Sequence, residues 1–182
     1  SAYAGAMVVV ATDYPEETVI DALRDNVRGN TTGAATTCAE EGGSEELATL
    51  CDTHILGHGW GTDAAPLLSF LPPKEESSSS SSGGFDVVLA ADCLWLHDQH
   101  VNLLETLIRV LPEGTGSARA VFTYQHHNEH APAFFELAES KYGLTAEHIG
   151  QYGWAGRELD EFDEEDEEVM GPIFLSTLRR RT

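Results

Sequence analysis

Basic residues are scarce in this chain: 10 Lys and Arg stand against 31 Asp and Glu among 182 residues, a formal charge of -21. Nucleic acid is thereby excluded as a substrate, because gripping a phosphate backbone needs a concentrated Lys/Arg surface. A basic protein is the better partner for such a surface. Long apolar runs are lacking too. No stretch approaches the roughly 20 residues a membrane helix needs, so no membrane partner is expected. Cys38, Cys51 and Cys93 are odd in number and irregularly spaced, with Cys93 placed in an apolar strand. They suggest neither a disulfide framework nor a zinc site, and they fit a reducing, cytoplasmic compartment. No signal peptide opens the chain, which starts at Ser1 rather than Met.

What is present is an alternation of apolar runs and helical patterns, in a chain 41% hydrophobic and long enough for one domain spanning 1–182. Residues 7–13 form a near-continuous apolar strand of the kind buried on both faces of a parallel sheet. Pro15, Glu16 and Glu17 open a helix whose stripe is Val19, Ile20, Leu23 and Val27, with a stop at Gly29-Asn30. The run 31–46 lacks periodicity and reads as a loose insertion. A short strand over 53–56 leads into Gly57-His58-Gly59-Trp60-Gly61. Segment 74–84, with Ser77 to Ser82 followed by Gly83-Gly84, reads as a flexible loop.

Residues 85–92, Phe-Asp-Val-Val-Leu-Ala-Ala-Asp, form the strongest strand, apolar on both faces and again ending in an acid. Asp98 is placed to cap the next helix, with Val101, Leu104, Ile108 and Leu111 at helical spacing before Pro112 and Gly114. A strand over 118–124, a helix from Pro132 through Tyr142, and strands over 144–149 and 173–178 complete the pattern. The acidic run 158–168 reads as a solvated loop.

The strand ends offer Asp13, the Trp60-Gly61 corner and the Ala91-Asp92 corner, all expected at the carboxyl edge where open α/β sheets bind ligands. A carboxylate for ribose, an indole against adenine and a small residue beneath the ligand suit an adenosyl cofactor. Each has a plainer reading: Asp13 before Pro15 as a helix start, Trp60 as core, Asp92 as a helix cap.

The order Val-Val-Ala-Thr-Asp13-Tyr14-Pro15, then Trp60-Gly61, then Phe85-Asp-Val-Val-Leu-Ala-Ala91-Asp92-Cys-Leu-Trp95, then Ile173-Phe-Leu-Ser-Thr-Leu178-Arg resembles the lysine methyltransferase-like group (family 16) of seven-stranded methyltransferases. The subgroup most resembled contains elongation factor and nicotinamide N-methyltransferase-like members. The resemblance spans nearly the whole chain outside 31–46, the Ser linker and the acidic loop. It implies an α/β, Rossmann-like fold, S-adenosylmethionine as cofactor, and no metal. It further implies that Asp13 holds the cofactor ribose, Trp60 lies by the adenine, and Ala91 touches the cofactor. Asp92-Cys93-Leu94-Trp95 matches the family's acid-x-x-aromatic motif, making Asp92 and Trp95 the catalytic pair that faces the acceptor nitrogen. Trp95 stands where the family more often has Tyr or Phe.

The family's Gly-rich loop after its first strand has no counterpart here; a Cβ there would block close approach to the cofactor. The expectation is therefore a partial domain, N-terminally truncated and lacking the first strand and that loop. The expected activity is N-methyl transfer to a lysine or N-terminal amine of a basic protein such as a translation elongation factor, by a monomer. Alternatives are a nicotinamide N-methyltransferase, and an inactive fragment or binding module. A metal-dependent hydrolase is the remaining rival, through His97, Asp98 and His100 with His126, His127, Glu129 and His130. Neither cluster has a helix-face ligand spacing such as H-E-x-x-H.

Overall fold

The computed structural model describes residues 5–40, 52–73, 83–114, 116–125, 130–153 and 172–181. The chain divides into two compact units, Ser1–Pro72 and Pro73–Thr182.

In the first unit β1 (Val8–Asp13) and β2 (Asp52–Gly57) pair in parallel, from Val8 opposite Asp52 to Asp13 opposite Gly57. Backbone bonds from Asp52 N–H to Met7 O and from His58 N–H to Asp13 O, both 2.9 Å, extend the ladder past each end. Parallel strands need a long crossover, usually helical, and α1 (Glu17–Glu40) lies on it. Its first turn closes on the Glu16 carbonyl, which accepts from Val19 N–H at 3.1 Å and Ile20 N–H at 3.0 Å. Ile20 is buried, and Val19, Leu23 and Val27 are half-buried among exposed neighbours, which is the expected stripe.

The expected stop at Gly29-Asn30 is corrected, since α1 continues to Glu40 through much of segment 31–46. A helix-interior glycine costs only about 1 kcal/mol relative to alanine, and the Asn30 amide bonds back to the Asn26 carbonyl at 2.8 Å instead of capping. Residues 41–46 lie outside the described residues. After β2, α2 (Ala65–Leu68) is a single turn whose Ala65 N–H is held by Asp63 Oδ1 at 3.0 Å, with Ala64 and Leu67 buried.

The second unit is a four-stranded mixed sheet in the order β3-β4-β6-β5, built from β3 (Val87–Ala91), β4 (Arg119–Tyr124), β5 (Leu144–Tyr152) and β6 (Ile173–Arg180). β3 and β4 are parallel; β6 runs antiparallel to both β4 and β5, so the last strand in sequence sits inside the sheet. The last two strands, expected over 144–149 and 173–178, thus form an antiparallel pair. The register places Ala120 and Ala146 beside Leu178, and Phe122 beside Ser176. Phe122 also meets Phe134 and Phe135 of α4 (His130–Lys141) at ring distances of 5.2 and 5.8 Å. With Leu104, Leu107, Leu111, Leu144 and Leu178 fully buried, this is the core.

A 3-10 turn (His97–Gln99) leads directly into α3 (His100–Val110). Asp98 does not cap α3: the N-cap is Gln99, without a side-chain bond, because the chain is already turning at Leu96. The buried stripe of α3 is Leu103, Leu104, Leu107 and Val110, whereas Val101 is exposed, so the expected stripe is rotated and shares only Leu104 within the helix.

Both-face burial of β1 and β3 is likewise corrected. The apolar residues of β1 are half-buried, and on β3 Val88 and Ala90 face inward while Val87 and Leu89 are 52% and 64% exposed. Burial of a sheet face is set by the layer packed on it, and Val87 and Leu89 share the face of β3 that is left open among the described residues. Residues 74–82 and 158–168 lie outside the described residues. Gly84 is described and is tightly placed: a Cβ there would fall 2.5 Å from the Val110 carbonyl and 2.8 Å from the Pro112 ring, while Phe85 N–H donates to that same carbonyl at 2.9 Å.

Candidate functional site

Asp13 is the last residue of β1, at its carboxyl end, and its carboxylate is exposed. Oδ1 accepts from the N–H of Tyr14 at 2.7 Å, and Glu16 N–H donates to the Tyr14 carbonyl at 2.8 Å, so a tight turn leads from strand to helix. Helix capping is not the role of Asp13, because the first turn of α1 closes on Glu16. Gly57 opposite Asp13 is what permits this turn: a Cβ there would lie 2.9 Å from Pro15 Cα, tighter than real side chains tolerate. The sequence reading assigned Gly57 no role; its signal was the glycine spacing of Gly57-His58-Gly59-Trp60-Gly61.

Trp60 follows β2 at the same carboxyl end and is half-buried rather than core. Its loop is closed locally, with Thr62 Oγ1 donating to the Gly59 carbonyl at 2.6 Å and Thr62 N–H to the same oxygen at 3.2 Å. Gly61 takes φ +80, a conformation that glycine adopts freely.

In the second unit Ala91 ends β3 and is exposed, presenting a single methyl. Asp92 follows with φ +49, in the left-handed region that Asp tolerates better than most residues. Its N–H donates to Thr123 O at 2.7 Å, one step beyond the Ala91–Thr123 pair, so the ladder carries Asp92 to the carboxyl edge before the chain turns. Its carboxylate is exposed, and no helix begins there for it to cap. Cys93 lies past the end of β3 rather than inside it, its Sγ 3.3 Å from the Ala91 carbonyl. Leu94 is 2% exposed and Trp95 52%, so the turn buries one side chain and presents the next.

Asp13 and Trp60 thus belong to strand ends of the first unit, and Ala91, Asp92 and Trp95 to one strand end of the second. The sequence reading placed His100 only in a rival metal cluster. This buried histidine at the start of α3 lies with Nε2 2.9 Å from the Leu94 carbonyl.

Among the described residues no group of three His, Cys, Asp or Glu side chains is assembled to hold a metal ion. His97 and His100 meet edge to face at 6.4 Å. His126, His127 and Glu129 lie outside the described residues. No described helix is long and apolar enough to cross a membrane.

No family model matches the chain. Curated relatives do. The protein N-terminal and lysine N-methyltransferase efm7 of Emericella nidulans is 31% identical over 182 residues, covering 98% of this chain and 63% of the relative. The same-named protein of Neurospora crassa is 32% identical over 182 residues, covering 98% and 59%, and that of Eremothecium gossypii is 33% identical over 156 residues, covering 83% and 51%. The chain therefore spans less than two thirds of the length of these relatives. The likeness supports a methyltransferase family, and the mixed α/β architecture fits a methyltransferase-like fold.

Proposed function

We propose that this chain, like the protein N-terminal and lysine N-methyltransferases it resembles, works in S-adenosylmethionine-dependent methyl transfer to a lysine or N-terminal amine of a basic protein, such as a translation elongation factor. The observation that carries the reading is the repeated acid at the carboxyl end of a parallel strand, Asp13 ending β1 and Asp92 directly after β3, both exposed. In open α/β sheets that edge is where ligands bind. We further propose that residues 1–182 act as part of one seven-stranded domain, that 31–46 is an insertion within it, and that the protein works as a cytoplasmic monomer.

The strand ends of each unit offer groups that suit parts of the cofactor. Asp13, held by the Tyr14 amide, offers carboxylate oxygens to ribose hydroxyls. Trp60 offers a half-buried indole to adenine, and Ala91 at its strand end leaves room for close approach. When bound, S-adenosylmethionine supplies an electrophilic sulfonium methyl. The work of the protein is alignment, which alone lowers such a barrier by several kcal/mol. Asp92 attracts the charged substrate ammonium and orients the neutral amine that remains once its proton has left to solvent, so that the nitrogen lone pair is free to take the methyl. Trp95, three residues further on and half exposed, stacks on the alkyl stem and favours the developing cation through its π face. Neither a covalent nucleophile nor a metal is needed for this displacement.

Parallel incubations with nicotinamide and with cytoplasmic protein, across rising salt, test the reading. Charge steering of a basic protein toward a chain of net charge -21 predicts protein methylation that slows as ionic strength rises. Efficient methylation of nicotinamide with no protein labelled rejects it.

A further inference from the structure

We propose that His100 is the positioning residue of the loop that carries Asp92 and Trp95. The proposal rests on reading that loop as the acceptor site. His100 is 7% exposed, and its ring lies edge-on to Phe134 with centroids 5.0 Å apart. Its Nε2 lies 2.9 Å from the Leu94 carbonyl oxygen. A carbonyl only accepts, so Nε2 carries the proton.

The loop is then anchored at three points. Asp92 N–H is bonded to Thr123 O, the Leu94 side chain is buried, and the Leu94 carbonyl is held by His100. The third anchor matters most for Trp95. The Leu94 carbonyl belongs to the peptide plane that joins Leu94 to Trp95, and that plane is rigid. Fixing the oxygen therefore restricts the direction in which the Trp95 side chain leaves the backbone. With 52% of its surface exposed, the indole has limited packing of its own to hold it. Without the His100 bond the peptide plane is free to rotate, and an amine lying between Asp92 and Trp95 loses its alignment. Cofactor affinity is expected to be unaffected, because Asp13 and Trp60 lie on other segments and Ala91 is held within the β3–β4 ladder, paired with Thr123.

Two substitutions separate positioning from mere packing. His100→Phe keeps a ring against Phe134 and removes the donor; His100→Gln restores an N–H near the Nε2 position. Expected for His100→Phe is a fall in kcat on the order of ten- to a hundredfold, as a misaligned reactant gives, with the KM for S-adenosylmethionine within about twofold of the parent, as expected when the cofactor contacts are untouched. His100→Gln should recover most of the loss. A second readout needs no activity: with Trp60→Phe and Trp154→Phe in the background, the emission of Trp95 should shift to the red and its acrylamide quenching should rise on adding His100→Phe, and revert with His100→Gln. Unchanged Trp95 emission together with unchanged kcat overturns the proposal. So does an equal loss in both variants, which would mark a packing role. If the emission responds as stated while the parent protein methylates no amine, His100 still positions the loop and it is the methyl-transfer reading that falls.

Discussion

The hydroxyls of Tyr124 at the end of β4 and Ser176 on β6 meet 3.2 Å apart, both side chains buried, and Ser176 Oγ lies a further 3.3 Å from His148 Nδ1 on β5. Phe174 stacks on Tyr124 at 5.7 Å, and Phe135 of α4 lies 5.6 Å from the same ring. Burial raises the pKa of the Tyr124 phenol above its ordinary 10.0, and the Ser176 hydrogen bond offsets part of that rise.

An alkaline instability follows from that shift. Below pH 10.0 both folded and unfolded chains keep the Tyr124 proton. Above it the unfolded phenol ionises first, so the folded state binds more protons and stability falls as pH rises toward the raised folded value. Denaturant titrations of the parent and of Tyr124→Phe should differ by about 1 kcal/mol near neutrality, the worth of one hydrogen bond. The gap should narrow or reverse above pH 10.0, because phenylalanine has no proton to lose. A gap independent of pH would show that burial does not perturb this phenol.

Two adjacent arginines on β6 should behave differently. Arg180 donates to the Ile108 carbonyl at 2.8 Å and the Leu111 carbonyl at 3.2 Å, satisfying the end of α3, and pairs with Glu113. Arg179 meets only the exposed Glu147 in the described pairs, at 3.2 Å. Arg180→Met should destabilise by about 1.5 to 3 kcal/mol, the range for hydrogen bonds to a charged group. Opening the Arg179 pair by Glu147→Gln should cost about 0 to 1 kcal/mol, as exposed ion pairs do. Equal losses by chemical denaturation would contradict this division.

Asp13→Ala should weaken S-adenosylmethionine binding by about 1.5 to 3 kcal/mol, through loss of hydrogen bonds from ribose to a charged acceptor. Calorimetric titration checks it, and unchanged affinity removes Asp13 from the cofactor site. Asp13→Asn should lose less, since an amide oxygen still accepts.

Much of the fold was legible because apolar runs with an acid at the end mark strands entering a carboxyl edge: β1 and β3 begin and end within two residues of the expected bounds. The helix end at Gly29-Asn30 was misread because local propensity weighs a glycine at about 1 kcal/mol, which a 24-residue helix absorbs. The stripe of α3 was misassigned because its start is set by the preceding 3-10 turn rather than by an Asp98 cap. Of the candidate site, the strand-end residues were visible as punctuation. His100 was not, since it is functional through one hydrogen bond to a loop six residues back, and the eye is drawn to it only as a metal ligand. Gly57 and Arg180 were hidden for a similar reason: each acts on a segment distant in sequence, Pro15 and the end of α3 respectively.

The most direct measurement is transfer of a labelled methyl from S-adenosylmethionine to protein, with the labelled amine identified after hydrolysis, for the parent and for Asp92→Ala. The predicted result is label on a lysine side chain or an N-terminal amine with the parent. With Asp92→Ala the rate should fall on the order of a hundredfold or more, the scale of losing a group that aligns a reactant, while S-adenosylmethionine affinity is retained. Label appearing at the parental rate with Asp92→Ala, or no amine labelled although the cofactor binds, would contradict the account.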